Sequence, residues 1–214
     1  MAEHTAIAVL AKAPEPGAAK TRLIPVLGAD GAAALQARLI RRAVETATDA
    51  ALGPVMLWAA PDETHALFRT MRTRYGVTLN RQPDGDLGAR MREAAAAANG
   101  PVLIVGTDCP ALDANRLHLA AATLRNYDVV VIPAEDGGYV LIGLRAPHAA
   151  LFTDMEWGTE TVMAETRRRL QSLTLTWREL PTLWDIDRPE DLERLRREGF
   201  TKIHDVSPRK GDKR

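Results

Sequence analysis

The sequence predicts a single three-layer α/β/α domain on a mostly parallel, twisted sheet, and three observations carry that expectation. Short apolar runs alternate with longer amphipathic stretches along the chain, the pattern of βαβ units joined by right-handed crossovers. The runs AIAVLA (6–11), VMLWAA (55–60), VLIV (102–105) and DVVVIP (128–133) are short and, Asp128 apart, apolar, so they read as strands covered on both faces. One connection breaks the rule: only AEDGGY (134–139) separates DVVVIP from VLIGL (140–144), too little chain for a crossover helix. One strand of the sheet is therefore expected to run antiparallel.

The 214 residues suffice for one large domain and are short for two. The domain is expected to fill 1–200, leaving a mobile basic tail over 201–214. Apolar residues at 46% permit a substantial core. Lys plus Arg and Asp plus Glu balance at 28 each, so no global field draws the chain to nucleic acid or an anionic membrane. The single cysteine excludes an internal disulfide framework and a cysteine-rich zinc site, and suits a reducing compartment. The first residues, MAEHTAIAVLAKAPEPG, lack the pattern of a signal peptide, and no run is expected to reach bilayer length. A cytoplasmic protein follows as the default; the oligomeric state is not legible.

Taken in order, strand 6–11 runs into a loop with two prolines and a glycine, KAPEPGAAKTRL. Asp30 is placed to cap an alanine-rich helix over 31–50 whose stripe contains Leu35, Leu39 and Val44. Strand 55–60 follows, then a helix opened by Pro61-Asp62-Glu63 and closed at Tyr75-Gly76. Strand 77–81 leads through QPDGDLG to a helix over 89–98. After strand 102–105, Asp113 caps a helix reaching about residue 126. The remaining elements are strands 128–133 and 140–144, a helix over 159–170, a strand over 173–177 and a last helix opened near Asp187.

The chemistry concentrates where strand 102–105 ends, at Gly106-Thr107-Asp108-Cys109-Pro110. A lone carboxylate at the carboxyl edge of a central strand sits where open α/β sheets bind ligands, and a divalent cation is its expected partner. The rival reading makes Asp108 a turn cap. After the first strand, Lys12, Lys20 and Arg22 offer three cations to a phosphate. This loop is not a Walker A motif: alanine stands where a glycine should precede the lysine. Its rival reading is a proline-rich surface loop with solvated lysines.

Five blocks in order, AKAPEPGAAKTRL, DGDLGARM, GTDCPAL, AEDGGYVLIGL and WDIDRPEDL, resemble a bacterial nucleotide-diphospho-sugar transferase family, often labelled glycosyltransferase and sometimes found beside arsenosugar enzymes. The likeness spans about residues 5 to 198 and extends to molybdenum-cofactor and 2-phospholactate guanylyltransferases. It implies the glycosyltransferase A-type fold, with a nucleotide across the carboxyl edge of the sheet. Ala11, Lys12, Gly17, Lys20 and Arg22 would then surround the phosphates, and Asp86, Leu87 and Gly88 would lie near the base. Asp108 would hold Mg²⁺ or Mn²⁺, with Asp187 or Asp185 as second ligand. Glu135, Asp136, Gly137, Gly138, Tyr139 and Trp157 would face a small-molecule acceptor. Many glycosyltransferases of this fold carry Asp-x-Asp on the metal strand; Asp108-Cys109-Pro110 has one carboxylate, a pattern closer to nucleotidyltransferases.

Other residues have plainer readings. Asp187 with Glu190 fits a capping box, an account compatible with metal ligation. Cys109 reads as a small buried thiol, since no activating base stands beside it. The five histidines show no ligand spacing, and Arg167–Arg169 read as a solvated helix end. Three functions remain. The leading one is glycosyl transfer from a nucleotide sugar, with Lys20 and Asp136 (or Glu135 in its place) as catalytic groups. The second is nucleotidyl transfer, which releases pyrophosphate from a nucleoside triphosphate and needs no general base. The third is nucleotide binding without turnover.

Overall fold

The computed structural model describes residues 4–200; the tail expected over 201–214 lies outside the described residues. The strands are β1 (Ala6–Lys12), β2 (Val55–Ala60), β3 (Thr78–Arg81), β4 (Val102–Val105), β5 (Val129–Pro133), β6 (Tyr139–Leu144) and β7 (Trp177–Glu179). The helices are α1 (Ile24–Asp49), α2 (Ala66–Tyr75), α3 (Leu87–Ala97), α4 (Ala114–Thr123), α5 (Val162–Ser172) and α6 (Pro189–Arg197). One seven-stranded sheet runs β3-β2-β1-β4-β6-β5-β7. β6 is antiparallel to both β4 and β5, as the short gap before it requires, and the other pairings are parallel.

Strand alternation divides the core. Ile7, Val9 and Ala11 face α1, α2 and α4 through Ile40, Val44, Phe68, Met71 and Leu117. Ala6 and Ala8 face the other side, where Met91 and Ala94 of α3 and Met163 and Leu170 of α5 pack. A third cluster joins Leu35 and Leu39 of α1 to Trp184, Ile186, Leu192 and Leu195 around α6. The three-layer expectation therefore holds. β4 is buried along its whole length. That leaves its carboxyl end as the place where this central strand meets solvent.

Several boundaries differ from expectation for local reasons. α1 begins at Ile24, with Pro25 in its first turn, and is kinked at Gly28 (φ 71°, ψ 168°) rather than starting after Asp30. The stretch Thr21–Asp49 is thus long and apolar enough to cross a membrane by length and composition, contrary to the sequence reading. In the fold its apolar stripe is already covered by the sheet and α6. α2 starts at Ala66 with His65 as its N-cap, because Asp62 is engaged in its own turn with Thr64. α3 starts earlier than expected, at Leu87, and α5 later, at Val162. β7 starts at Trp177, since Leu175 N–H closes onto Leu170 O at the end of α5.

The arginine triplet is solvated only in part: Arg167 and Arg168 are exposed, yet each of the three is paired with a carboxylate. Arg167 grips Glu179 through two bonds of 2.8 Å. Arg169, only 12% exposed, bonds Glu165 at 2.6 Å and the carbonyl of Asp154 at 2.8 Å, and also reaches the carbonyl of Thr153.

Asp128 joins the edge strand to the sheet. Its Oδ2 accepts Thr176 N–H at 2.9 Å and Thr176 Oγ1–H at 2.6 Å, and its Oδ1 accepts from Arg145. The Thr176 bonds, with Arg145 assisting, hold its carboxyl down at about 2. A folded-state value below the unfolded one stabilises the fold above about pH 4, and the benefit is lost as pH falls through about 2. Asp128→Asn should therefore be less stable than the parent at neutral pH by about 1 kcal/mol or more. The gap between the two, measured by urea denaturation, should close toward pH 2. A gap that stays constant with pH would refute this role.

Candidate active site

The first strand's crossover leads to β2 on one side, while β4 pairs on the other, so β1 and β4 flank a topological switch point. The loop after β1 folds back tightly: Ala13 N–H donates to Ala60 O at 2.7 Å, and Ala18 and Ala19 N–H both donate to Glu15 O at 3.0 Å. It delivers Lys20 in a left-handed conformation, φ 48° and ψ 47°, which a residue with a Cβ adopts only when its surroundings demand it. The demand is visible. The Lys20 side chain is 5% exposed, its Nζ lies 2.8 Å from Asp108 Oδ2, and it also donates to Ile186 O.

Asp108 is held from both sides. Its Oδ1 accepts from Thr107 Oγ1 at 3.0 Å, and Thr107 Oγ1 in turn accepts from Gln36 Nε2 at 3.2 Å. Its backbone O accepts Ile186 N–H at 2.9 Å, docking segment 185–187 beside it. The carboxylate nevertheless stays 47% exposed, at the mouth of β4.

Asp187 is not the helix cap that the sequence suggested. Asp191 Oδ2 reaches back to accept both Asp187 N–H (2.9 Å) and Arg188 N–H (2.7 Å), and Arg188 occupies the N-cap position. The Asp187 carboxylate is thereby released to pair with Arg22. Lys20 and Arg22 thus both meet carboxylates.

Two compartments meet at Asp108. The larger, about 490 Å³, is lined by Ala11, Lys12, Lys20, Arg22, Asp108 and Asp187, together with Gln82, Leu87 and Arg90. The smaller, about 210 Å³, is lined by Asp108, Cys109, Asp136, Gly138, Tyr139, Trp157 and Asp185, with Leu87 on the boundary. In the smaller one, Asp136 Oδ1 accepts Gly138 N–H at 3.0 Å. Tyr139 and Trp157 meet edge to face, 6.3 Å between centroids at 88°. Burial pushes the Tyr139 phenol well above its usual range. Burial, reinforced by the charges of Asp136 and Asp108, raises the Asp185 carboxyl to about 6 despite the opposing effect of Lys20. Burial likewise lifts the Cys109 thiol to about 12, in keeping with a partly buried packing residue and against a nucleophile.

Other residues expected at the site have different surroundings. Gly17 takes a positive φ of 81° in the exposed turn before Lys20 and lines neither compartment. Asp86 caps α3, its Oδ1 accepting Ala89 N–H at 2.7 Å. Gly88 is pressed into the protein: a Cβ there would stand 2.2 Å from Phe152 O. Gly137 (φ +91°) abuts the backbone of Glu160, where a Cβ would come within 2.3 Å of the carbonyl oxygen. Its glycine serves packing and not ligand approach. Glu135 turns away to a two-bond pair with Arg194 at 2.7 and 3.0 Å, which holds its carboxyl below the usual range.

The sequence reading missed Gln36, Gln82, Thr107 and Arg90. Gln36 interrupts the apolar stripe of α1, and a polar residue there is a usable signal. Arg90 had none beyond its place in DGDLGARM. Four buried donors lack partners among the described residues: Trp58 Nε1, Asn80 Nδ2, Arg90 Nε and Trp157 Nε1. Such groups typically cost about 1–3 kcal/mol each when left unmet.

Residues 43–159 match the model of a family described as an uncharacterized protein conserved in bacteria, DUF2064. The chain belongs to that family. No curated protein matches it. As a structure, this DUF2064 chain is similar to a protein from Desulfovibrio desulfuricans G20 provisionally named a nucleotide-diphospho-sugar transferase, with TM-score 0.83 and 25% identity over 94% of this chain and 93% of that one. It is also similar to a CMP:2-keto-3-deoxy-manno-octonic acid synthetase complexed with CTP, with TM-score 0.57 and 13% identity over 92% of this chain and 99% of that one. A third likeness is to Rv0371c of Mycobacterium tuberculosis H37Rv in complex with manganese, with TM-score 0.54 and 16% identity over 89% and 97%. The last two share the fold. That fold is the nucleotide-diphospho-sugar transferase architecture expected from the sequence blocks.

Two glycines, one packed against Phe152 and one lining the cleft, should behave oppositely. Gly88→Ala forces a Cβ onto a backbone carbonyl and should lower stability by about 1–3 kcal/mol. At Gly106, which lines both compartments, a Cβ would meet nothing within 4 Å, so Gly106→Ala should match the parent or exceed it slightly. Denaturant melts of both variants check the pair; equal loss in both would contradict the packing described.

Proposed function

We propose that this protein is a nucleotide-dependent transferase that moves a glycosyl group from a nucleoside diphosphate sugar to a hydroxyl of a small acceptor. One observation carries the reading: a cationic compartment and an acidic, aromatic one share Asp108 in their walls. A diphosphate suits the first, where Lys12, Lys20 and Arg22 supply charge-assisted hydrogen bonds. The second holds Asp108, Asp136 and Asp185, surroundings unfavourable to a phosphate acceptor and suited to a hydroxyl that must lose a proton. The name of the Desulfovibrio desulfuricans neighbour supports the donor class.

In this mechanism the acceptor oxygen attacks the anomeric carbon while the bond from that carbon to the diphosphate oxygen breaks. Lys20 and Arg22 stabilise the charge gathering on the departing diphosphate. Asp136 takes the acceptor's proton, its Oδ2 being without a partner among the described residues while Oδ1 is fixed by Gly138 N–H. Glu135 is too firmly paired with Arg194 to serve instead. Tyr139 and Trp157 wall the acceptor.

A divalent cation, Mg²⁺ or Mn²⁺, belongs to the same proposal. Among the described residues no group of three or more His, Cys, Asp or Glu side chains is arranged to hold a metal. Asp108 with Asp187, or with Asp185, supplies the one or two carboxylates that Mg²⁺ commonly takes alongside phosphate oxygens, so the donor set fits. Such an ion would add electrostatic stabilisation of the leaving diphosphate. The manganese named for the Mycobacterium tuberculosis neighbour supports this part.

Nucleotidyl transfer is the second reading, favoured by the cationic loop and by the single carboxylate at Asp108-Cys109-Pro110. The two are separated by incubating the protein with Mg²⁺ or Mn²⁺ and either nucleotide sugars or nucleoside triphosphates. Release of nucleoside diphosphate from a nucleotide sugar is expected. Pyrophosphate release with every nucleotide sugar intact would replace the first reading by the second. Asp136→Asn should cut kcat by at least about 10²-fold with nucleotide affinity nearly unchanged. Lys20→Ala should weaken a nucleoside diphosphate by about 1.5–3 kcal/mol and leave a bare nucleoside almost unaffected.

A further inference from the structure

The larger compartment is not charged throughout. Leu10, Leu87 and Met91 give it apolar walls, and between them stand two polar side chains, Gln82 and Arg90. Gln82 is 6% exposed, and its Nε2 donates to Ala11 O at 3.1 Å and Trp58 O at 2.8 Å. Two carbonyl acceptors fix the orientation of the amide, so both its protons are engaged. Its Oε1, which accepts no hydrogen bond among the described residues, is the end left for the cleft.

Arg90 has the opposite need. It pairs with no carboxylate among the described residues, and the one hydrogen bond its guanidinium makes there runs from Nη2 to Gly85 O at a long 3.3 Å. Its Nε is buried without any acceptor. An uncompensated guanidinium in a cleft wall calls for an acceptor from a ligand.

An apolar slot with one acceptor and one charged donor on its rim suits a flat heterocycle read along its edge. On the reading that the protein binds a nucleotide, that heterocycle is the base. We infer that Arg90 and Gln82 select a base with a lactam edge, guanine or uracil. There the ring carbonyl oxygen accepts from Arg90, and the adjacent ring N–H donates to Gln82 Oε1. Adenine and cytosine carry an exocyclic amino group where the lactam has its oxygen, and would turn N–H against the guanidinium. A site built to hydrogen-bond one pattern rejects the other because its own polar groups would be left unpaired.

The test is calorimetric titration of the full chain, in Mg²⁺, with GDP, UDP, ADP and CDP. GDP, UDP or both should bind at least about ten-fold more tightly than ADP and CDP. Arg90→Ala, with folding checked by its thermal melt, should remove that preference while ADP affinity stays within about two-fold. The parent's own base preference decides the matter if the variant fails to fold. ADP or CDP binding as tightly as GDP and UDP would overturn the inference. So would an equal loss for all four in Arg90→Ala, which would make Arg90 a phosphate contact. Failure of all four to bind the parent would remove the nucleotide reading itself, and this inference with it.

Discussion

The contact on which the site depends is the buried ammonium of Lys20 against Asp108. An ammonium 5% exposed cannot be left without anionic or carbonyl partners, and it has both, in Asp108 Oδ2 and Ile186 O. Those two bonds tie together three segments remote in sequence: the loop after β1, the end of β4, and the stretch before α6. They also account for the left-handed backbone at Lys20, which a loop free to relax would not keep. The polar relay from Gln36 through Thr107 reaches the other oxygen of Asp108, so the carboxylate is positioned from within the core while remaining half open to solvent.

This arrangement has an electrostatic corollary. Lys20 and Arg22 already neutralise Asp108 and Asp187. On the proposed reading, an incoming diphosphate would compete with carboxylates for the same two cations. A divalent ion beside those carboxylates would relieve the competition, since it releases the cations toward phosphate. Charge balance in the cleft is thus shared between protein groups before any ligand arrives, and on the proposed reading donor and metal binding would be thermodynamically coupled through it.

Much of the architecture was legible because burial on both faces leaves a plain mark: four uninterrupted apolar runs gave β1, β2, β4 and β5 almost to the residue. The antiparallel β6 was legible from loop length alone. Helix starts were less so, because capping is decided by which of several nearby acids is free. Asp62 is absorbed by Thr64, and Asp191 displaces Asp187 as the group that satisfies the first amides of α6. The glycines misled in a related way. DGDLG and EDGG looked like backbone left open for a ligand, yet Gly88 and Gly137 face Phe152 and Glu160. Sequence alone cannot tell a glycine that admits a ligand from one that admits another stretch of chain. Arg90 and Gln82 were invisible for the same reason, their significance lying in partners they lack or share across the sheet.

The direction of β6 divides the labour of the cleft along the chain. Apart from Tyr139, Val140 and Asp187, every wall residue of the larger compartment precedes Cys109. Apart from Leu87, Gly106, Asp108 and Cys109, those of the smaller one follow Pro133. Reversing one strand brings the β5–β6 turn to the same sheet edge as the ends of β1 and β4, so the later half of the chain contributes its compartment as a unit. A segment grafted in from a relative at the α4 connection would exchange most of the smaller compartment's wall, and only Tyr139, Val140 and Asp187 of the larger. The seam that such a chimera must preserve is the β4–β6 ladder, where Val102 meets Leu144 and Ile104 meets Ile142.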